Sequence, residues 1–114
     1  MARVLVAEPD PDALALIQRA IAASGHEIVL YRPGSELPEV DVMVFEPSMG
    51  QRVVALAKVL ATASPPVAVV VVSIQPPELA VHELRPVAYV LKPFSLDELR
   101  AAVEKAVRAR GERS

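Results

Sequence analysis

The sequence has no cysteine, no excess of basic residues and no long hydrophobic run. Without cysteine there are no disulfides, thiolate metal sites or cysteine nucleophiles, which fits a reducing compartment. Twelve basic residues stand against 14 acidic ones, for a formal net charge of -2, so no overall positive field attracts nucleic acid. The longest apolar run, Val67–Val72, is too short to cross a bilayer. We therefore predict a cytoplasmic protein that binds neither nucleic acid nor membrane.

What the sequence does contain is a regular alternation of apolar runs and helical segments. With 114 residues, 53% of them hydrophobic, the chain is predicted to form a single domain over residues 1–114. Continuous apolar runs are typical of parallel strands buried on both faces. Five such runs are present: Val4–Ala7, Ile28–Tyr31, Val42–Phe45, Val67–Val72 and Val87–Leu91.

Helix signals follow several of these runs. Asp10 is a good N-cap before Pro11, and Gly25 is placed to end that helix. A second helix is predicted after the third strand, over Gln51–Ala63. Ser95 and Glu98 form a capping box that begins the last helix.

Two connections are less regular. Arg32–Glu39 contains two prolines and a glycine, which predicts a short, irregular second crossover and leaves open whether it is ordered. A short helix is predicted from Pro76 to Leu84. Strands that alternate with helices predict an α/β fold with a doubly wound parallel sheet.

The carboxyl end of each strand carries polar chemistry. Glu8 follows the first strand, Glu46 the third, Ser73 the fourth and Lys92 the fifth. Because parallel strands end at one edge of the sheet, these side chains are expected to converge there.

Three segments together resemble the receiver domain of two-component response regulators, a flavodoxin-like family. They are Arg3–Val6 with the acidic turn to Asp12, Asp41–Met49, and Ala88–Phe94. The resemblance covers nearly the whole chain and implies five strands in the order 2-1-3-4-5. It also implies a pocket in which acidic residues hold Mg²⁺, an aspartate accepts a phosphoryl group, and a hydroxyl and a lysine followed by a cis-proline assist.

This sequence departs from the family pattern where the chemistry is most demanding. Glu46 occupies the phosphoacceptor position, and Pro9, which has no ligand atom, occupies the position of a metal-binding acid. The longer glutamate displaces its carboxylate from the in-line geometry of phosphoryl transfer. Ile74 follows Ser73 where the family has a small residue. The pocket residues that do match are Ser73, Lys92 and Pro93, with Glu8 in the first acidic position and Tyr89 in that of the switch aromatic.

The resemblance therefore implies an atypical receiver, not an enzyme, that binds protein partners independently of phosphorylation and without a cofactor or metal. A kinase, an output protein or a second copy of the chain are the expected partners. A homodimer would use the predicted fourth helix, the fifth strand and the last helix. The alternative is a phosphoacceptor that retains weak Mg²⁺-dependent phosphorylation. Glu46 is interpreted either as a phosphoaspartate mimic that reaches Lys92 and Ser73, or as a structural ion pair with Lys92.

Other classes of function have less support. A flavin-binding protein would need a phosphate loop after the first strand, where this chain has an acidic turn. No serine has a histidine arranged beside it as in a hydrolase. His26 is interpreted as a turn residue and His82 as an exposed residue of the short fourth helix. Tyr89 is either a switch or an ordinary half-buried tyrosine.

Overall fold

A five-stranded parallel sheet forms the centre of the protein, seen here in a computed structural model that describes residues 1–75 and 83–113. The strand order is β2-β1-β3-β4-β5, as predicted, and every neighbouring pair is parallel. Valine-rich runs favour this arrangement because β-branched side chains pack well on a pleated surface. The strands are β1 (Arg3–Ala7), β2 (Glu27–Leu30), β3 (Val42–Phe45), β4 (Ala68–Ser73) and β5 (Ala88–Leu91).

The described residues also form three α-helices, and their N-terminal signals act as the sequence predicts. The helices are α1 (Pro11–Ala23), α2 (Gln51–Ala61) and α3 (Leu96–Arg113), with a short 3-10 helix at Pro47–Met49. Asp10 Oδ2 accepts a hydrogen bond from the Ala13 amide at 3.3 Å. Ser95 and Glu98 exchange hydrogen bonds of 3.1 and 3.2 Å, so the predicted capping box is formed. None of these helices is long and apolar enough to cross a membrane.

Alternate side chains of the strands build one core on each face of the sheet. Val4, Val44 and Val70 point to the face that α1 and α3 cover. Leu5 and Phe45 point to the opposite face and pack with residues of α2. Because both faces are buried, β3 and β4 are apolar along nearly their whole length, as parallel strands require.

The second crossover contains no helix, as predicted from its prolines and glycine. Residues 31–41 run from β2 to β3 as turn and irregular backbone, with one internal backbone hydrogen bond, from Ser35 N to Arg32 O at 3.2 Å. Beside this segment lies a groove of about 380 Å³ whose apolar lining includes Leu30, Leu37 and Leu56. Most of the helix predicted from Pro76 to Leu84 lies outside the described residues, and so does His82.

Candidate functional site

The structure brings together the four polar side chains that end β1, β3, β4 and β5. Glu8, Glu46 and Ser73 are all buried, and Glu46 is only 3% exposed. Backbone bonds continue the sheet to this point, from Glu46 N to Ala7 O at 2.9 Å and from Lys92 N to Ser73 O at 2.8 Å. The end of each strand is therefore fixed in register, and the side chains converge at the carboxyl edge.

The Lys92 ammonium group is the centre of this cluster. Its Nζ lies 2.8 Å from Glu8 Oε1 and donates a hydrogen bond of 3.0 Å to Glu8 Oε2. It lies 3.3 Å from Glu46 Oε2, so Glu8 is the closer partner. The side chain of Lys92 is only 14% exposed. We call Glu8, Glu46 and Lys92 the buried triad; with all three groups ionised it carries one excess negative charge.

Backbone amides support both carboxylates of the triad. Asp10 N donates to Glu8 Oε2 at 3.0 Å, and Ser48 N donates to Glu46 Oε1 at 3.2 Å. The second contact caps the 3-10 helix, whose first residue is a proline without an N–H. Glu8 Oε1 and Glu46 Oε2 accept no hydrogen bond within the described part of the chain, so Lys92 provides their charge compensation at ion-pair distance.

The triad changes the acid–base behaviour of its lysine. Burial lowers the pKa of Lys92, but the hydrogen bond that Lys92 donates to Glu8 and the charges of Glu8 and Glu46 outweigh it, so the pKa is raised above 10.5. Lys92 is therefore an ammonium ion throughout the physiological range. A lysine held in this way is suited to neutralising fixed anions and unsuited to acting as a general base.

The raised pKa of Lys92 predicts an alkaline limit to stability. A group whose pKa is higher in the folded than in the unfolded protein stabilises the fold fully below its unfolded pKa and loses that contribution as pH rises through the folded one. The wild type should therefore lose more unfolding free energy than Lys92→Met between about pH 9 and about pH 11.5. Urea unfolding at both pH values measures this difference. Equal losses in the two proteins would contradict the raised pKa.

Ser73 and Tyr89 hold the chain that follows β4. Ser73 Oγ accepts a hydrogen bond from Gln75 N at 3.2 Å, and the Tyr89 hydroxyl donates to Gln75 O at 2.6 Å. Within the described residues, Glu46 makes no hydrogen bond to Ser73, so only the Lys92 half of the predicted mimic geometry is present. Pro93 follows Lys92 through a cis peptide bond, as the resemblance implies.

The donor set does not fit the Mg²⁺ site that the resemblance implies for receivers. Both buried carboxylates already face the Lys92 ammonium group, and Pro9 is exposed and has no ligand atom. In the described part of the chain, no three histidine or acidic side chains are grouped so that they could hold a metal ion. Mg²⁺ requires near-octahedral oxygen coordination, and two carboxylates that are both engaged by one ammonium group do not provide it.

A cleft of about 370 Å³ lies in front of the triad. Ile74, Phe94 and Leu16 give it apolar walls, with Asp10 and Asp12 among its lining residues and Lys92 within it. Ile74 is 71% exposed, so this bulky side chain stands at the cleft instead of packing into the core.

Sequence reasoning missed that Glu8, and not Glu46, is the closer partner of Lys92. The interpretation of Glu46 as the partner of Lys92 came from its place in the family pattern. A signal was nonetheless present: Pro9 removes a metal ligand, which leaves Glu8 as a buried acid in need of a cation, and Lys92 follows another strand at the same edge.

Comparison with known proteins places this geometry in a known fold. No protein-family model matches the sequence, and no curated protein matches it significantly. Solved structures do match, over almost the whole chain. A receiver domain protein from Methanospirillum hungatei, described as CheY-like, has a TM-score of 0.80 at 15% identity, with 100% of this chain and 99% of that chain covered. The chain has the receiver fold.

Other receiver-fold structures agree. A response regulator from Thermotoga maritima has a TM-score of 0.76 at 19% identity, with 95% of this chain and 98% of that chain covered. HP1043, an orphan response regulator of H. pylori, has a TM-score of 0.74 at 18% identity, with 94% and 97% covered. The receiver fold is therefore established at low sequence identity, and what the chain does must be argued from its own site.

Proposed function

We propose that this chain is an atypical receiver domain of two-component signalling that acts as a protein-interaction module without being phosphorylated. The observation that carries the proposal is the buried triad, in which Lys92 is held by Glu8 and Glu46. The proposal includes the cytoplasmic location and the absence of enzymatic activity that the sequence predicts.

Electrostatics in the triad oppose phosphorylation. Phosphoryl transfer depends on positive groups that stabilise the charge on the transferring oxygens. Here the one cation of the triad is already shared by two carboxylates at 2.8 and 3.3 Å. An incoming phosphoryl group would compete with Glu8 for Lys92 in a site that already carries an excess negative charge. Without a fitting metal site, nothing in the triad offsets that repulsion.

The orientation of Glu46 opposes phosphorylation as well. One oxygen accepts the Ser48 amide hydrogen and the other faces Lys92, so both are engaged within the protein. The residue is almost completely buried. A nucleophile must lie within reach of the phosphorus atom and in line with the leaving group, and this carboxylate is turned inward instead.

The edge of the sheet at β5 offers a surface for protein partners. β5 is an edge strand of the sheet, and its Leu91 is half exposed. Exposed polar groups of an edge strand and an exposed leucine favour contact with another protein. The proposed partners are a kinase, an output protein or a second copy of the chain. They would bind through the predicted fourth helix, β5 and α3.

Intact mass spectrometry tests the proposal directly. The wild-type protein is incubated with acetyl phosphate and Mg²⁺ beside the double variant Pro9→Asp, Glu46→Asp, which restores the two acidic types that the family pattern has at these positions. We expect no added phosphoryl group on the wild type and partial modification of the double variant.

A third protein controls for phosphorylation elsewhere in the chain. Pro9→Asp, Glu46→Asn has the restored acid and no acceptor carboxylate at position 46, so it should stay unmodified. A phosphoryl group on wild-type Glu46 would overturn the proposal in favour of a weak Mg²⁺-dependent phosphoacceptor. If the wild type is unmodified, size-exclusion chromatography with light scattering then tests whether the partner is a second copy.

A further inference from the structure

A second cluster of titratable groups lies at the amino end of the sheet, opposite the triad. His26 is its centre, in the turn between α1 and β2. Its side chain is only 10% exposed. It borders a pocket of about 280 Å³ that is also lined by Met1, Asp41 and Arg110. A histidine that is this well buried and fully hydrogen-bonded is more than the turn residue that the sequence suggests.

The backbone fixes the position of His26. Gly25 adopts a φ of +78°, and its amide donates to Ala22 O at 3.0 Å. The amide of His26 then reaches back to Ile21 O at 3.2 Å. This pair of bonds is the Schellman motif that ends many helices, and it needs a residue such as glycine that tolerates positive φ. His26 is thereby held over the start of β1.

Both ring nitrogens of His26 have partners on other elements. Nδ1 accepts a hydrogen bond from the Ala2 amide at 3.1 Å, just before β1. Nε2 lies 3.1 Å from Glu104 Oε1 on α3. The hydrogen bond from His26 is the largest cause that lowers the pKa of Glu104; burial opposes it, and Ser24 and the charges of His26 and Arg108 assist. The ring therefore connects the first strand to the last helix.

These contacts determine which nitrogen carries the proton. An amide N–H can only donate, so Nδ1 must offer its lone pair to Ala2 and the hydrogen must lie on Nε2, facing the Glu104 carboxylate. A second proton would place an N–H on Nδ1 opposite the Ala2 N–H. Two donors cannot share a hydrogen bond, whereas the contact with Glu104 becomes an ion pair.

We propose that His26 is a proton-sensitive latch, which joins the first strand to the last helix in its neutral Nε2–H form and releases the Ala2 amide when Nδ1 is protonated. On acidification His26 thus loses its contact with Ala2 and keeps its contact with Glu104. α3 belongs to the surface proposed for protein partners. Proton uptake by His26 therefore changes how this helix is attached to the first strand. The proposal concerns a different edge of the sheet and stands whether or not the triad blocks phosphorylation.

Other charges near the latch act on it in both directions. Glu104 faces Nε2, and Arg110 on the same helix lines the pocket beside His26 and lies 3.8 Å from Asp41. Asp41, which accepts a hydrogen bond from Arg3 N at 2.9 Å, lines the same pocket. Glu27 is next in sequence and pairs with Arg3 at 3.1 Å. Among the residues that the structure describes, however, only the Ala2 amide contacts Nδ1 directly, so it decides whether the second proton is accommodated.

The test measures how two substitutions depend on pH. Ala2→Pro removes the N–H that Nδ1 accepts, and Glu104→Gln removes the charge that faces Nε2. Urea midpoints are compared at about pH 7.5 and about pH 5, on either side of the usual histidine titration. We expect the loss caused by Ala2→Pro to shrink at least twofold on acidification, and the loss caused by Glu104→Gln to grow. In a His26→Asn background neither loss should change with pH.

Ring nitrogen NMR provides a second readout that does not depend on Ala2→Pro or Glu104→Gln. The chain has two histidines, and the His82→Gln variant identifies the signals of His26. At about pH 7.5 Nδ1 should be the unprotonated nitrogen. A ring protonated on Nδ1 under these conditions would overturn the proposal, and so would an Ala2→Pro loss that is the same at both pH values. If Ala2→Pro fails to fold, as judged by circular dichroism, the NMR result decides alone.

Discussion

Replacing Lys92 with methionine should lower the free energy of unfolding by about 3 kcal/mol at neutral pH. Methionine keeps the unbranched apolar stem but removes the charge that faces Glu8 and Glu46. Two carboxylates then remain buried without a cation, and the cost of removing one partner from a buried ion pair is about 3 to 5 kcal/mol. We expect the lower end because Lys92 is partly exposed. Urea unfolding followed by circular dichroism measures it.

A matched substitution on the surface serves as the control. Lys105 is an exposed lysine on α3, and Lys105→Met should change the unfolding free energy by less than about 0.5 kcal/mol. If Lys92→Met were as mild as this control, the triad would not be the buried electrostatic unit described above, and the argument against phosphorylation would lose its support.

Glu8→Gln should be the second most costly change, at about 2 kcal/mol, and should exceed Glu46→Gln, at under about 1 kcal/mol. Both oxygens of Glu8 face Lys92, so an amide nitrogen there would meet the ammonium group donor to donor. Glu46 directs only one oxygen to Lys92, at a longer distance. Replacing either glutamate removes the excess negative charge of the triad, so the expected difference between the two variants comes from the distances to Lys92.

The comparison of these two variants by urea unfolding decides which carboxylate is the main partner of Lys92. Both substitutions preserve shape, so differences in packing are small. If Glu46→Gln cost as much as Glu8→Gln, the pairing inferred from the family pattern would be right and the observed distances would not reflect the energetics. The double variant Glu8→Gln, Glu46→Gln completes the cycle and shows whether the two carboxylates act independently.

The fold could be predicted because its signals are local. Apolar runs with valine at most positions identify buried parallel strands, and Asp10 and Ser95 mark where helices begin. The observed strand boundaries differ by a residue from the predicted ones where a hydrogen bond to a distant residue determines them. β2 begins at Glu27 because the Glu27 amide bonds to Ala2 O in the neighbouring strand, and no local signal carries that information.

The location of the site could be predicted, but its internal pairing could not. The end of a strand determines which edge a side chain reaches, and the sequence correctly brings Glu8, Glu46 and Lys92 to one edge. Which carboxylate contacts the lysine depends on side-chain torsions and on amides such as Ser48 N. The contacts of His26 were beyond sequence reasoning, since its two partners lie 24 and 78 positions away.

The helix-free second crossover also bears on how the protein opens. α2 and the irregular segment of residues 31–41 cover their face of the sheet, whereas two helices, α1 and α3, cover the other. β2 is an edge strand of four residues, and few backbone hydrogen bonds hold the segment that follows it. Regions with few buried contacts form the cooperative units of lowest opening free energy. Native-state fluctuations should therefore begin at β2 and its crossover, while β3 and β4 exchange their amide hydrogens only on global unfolding.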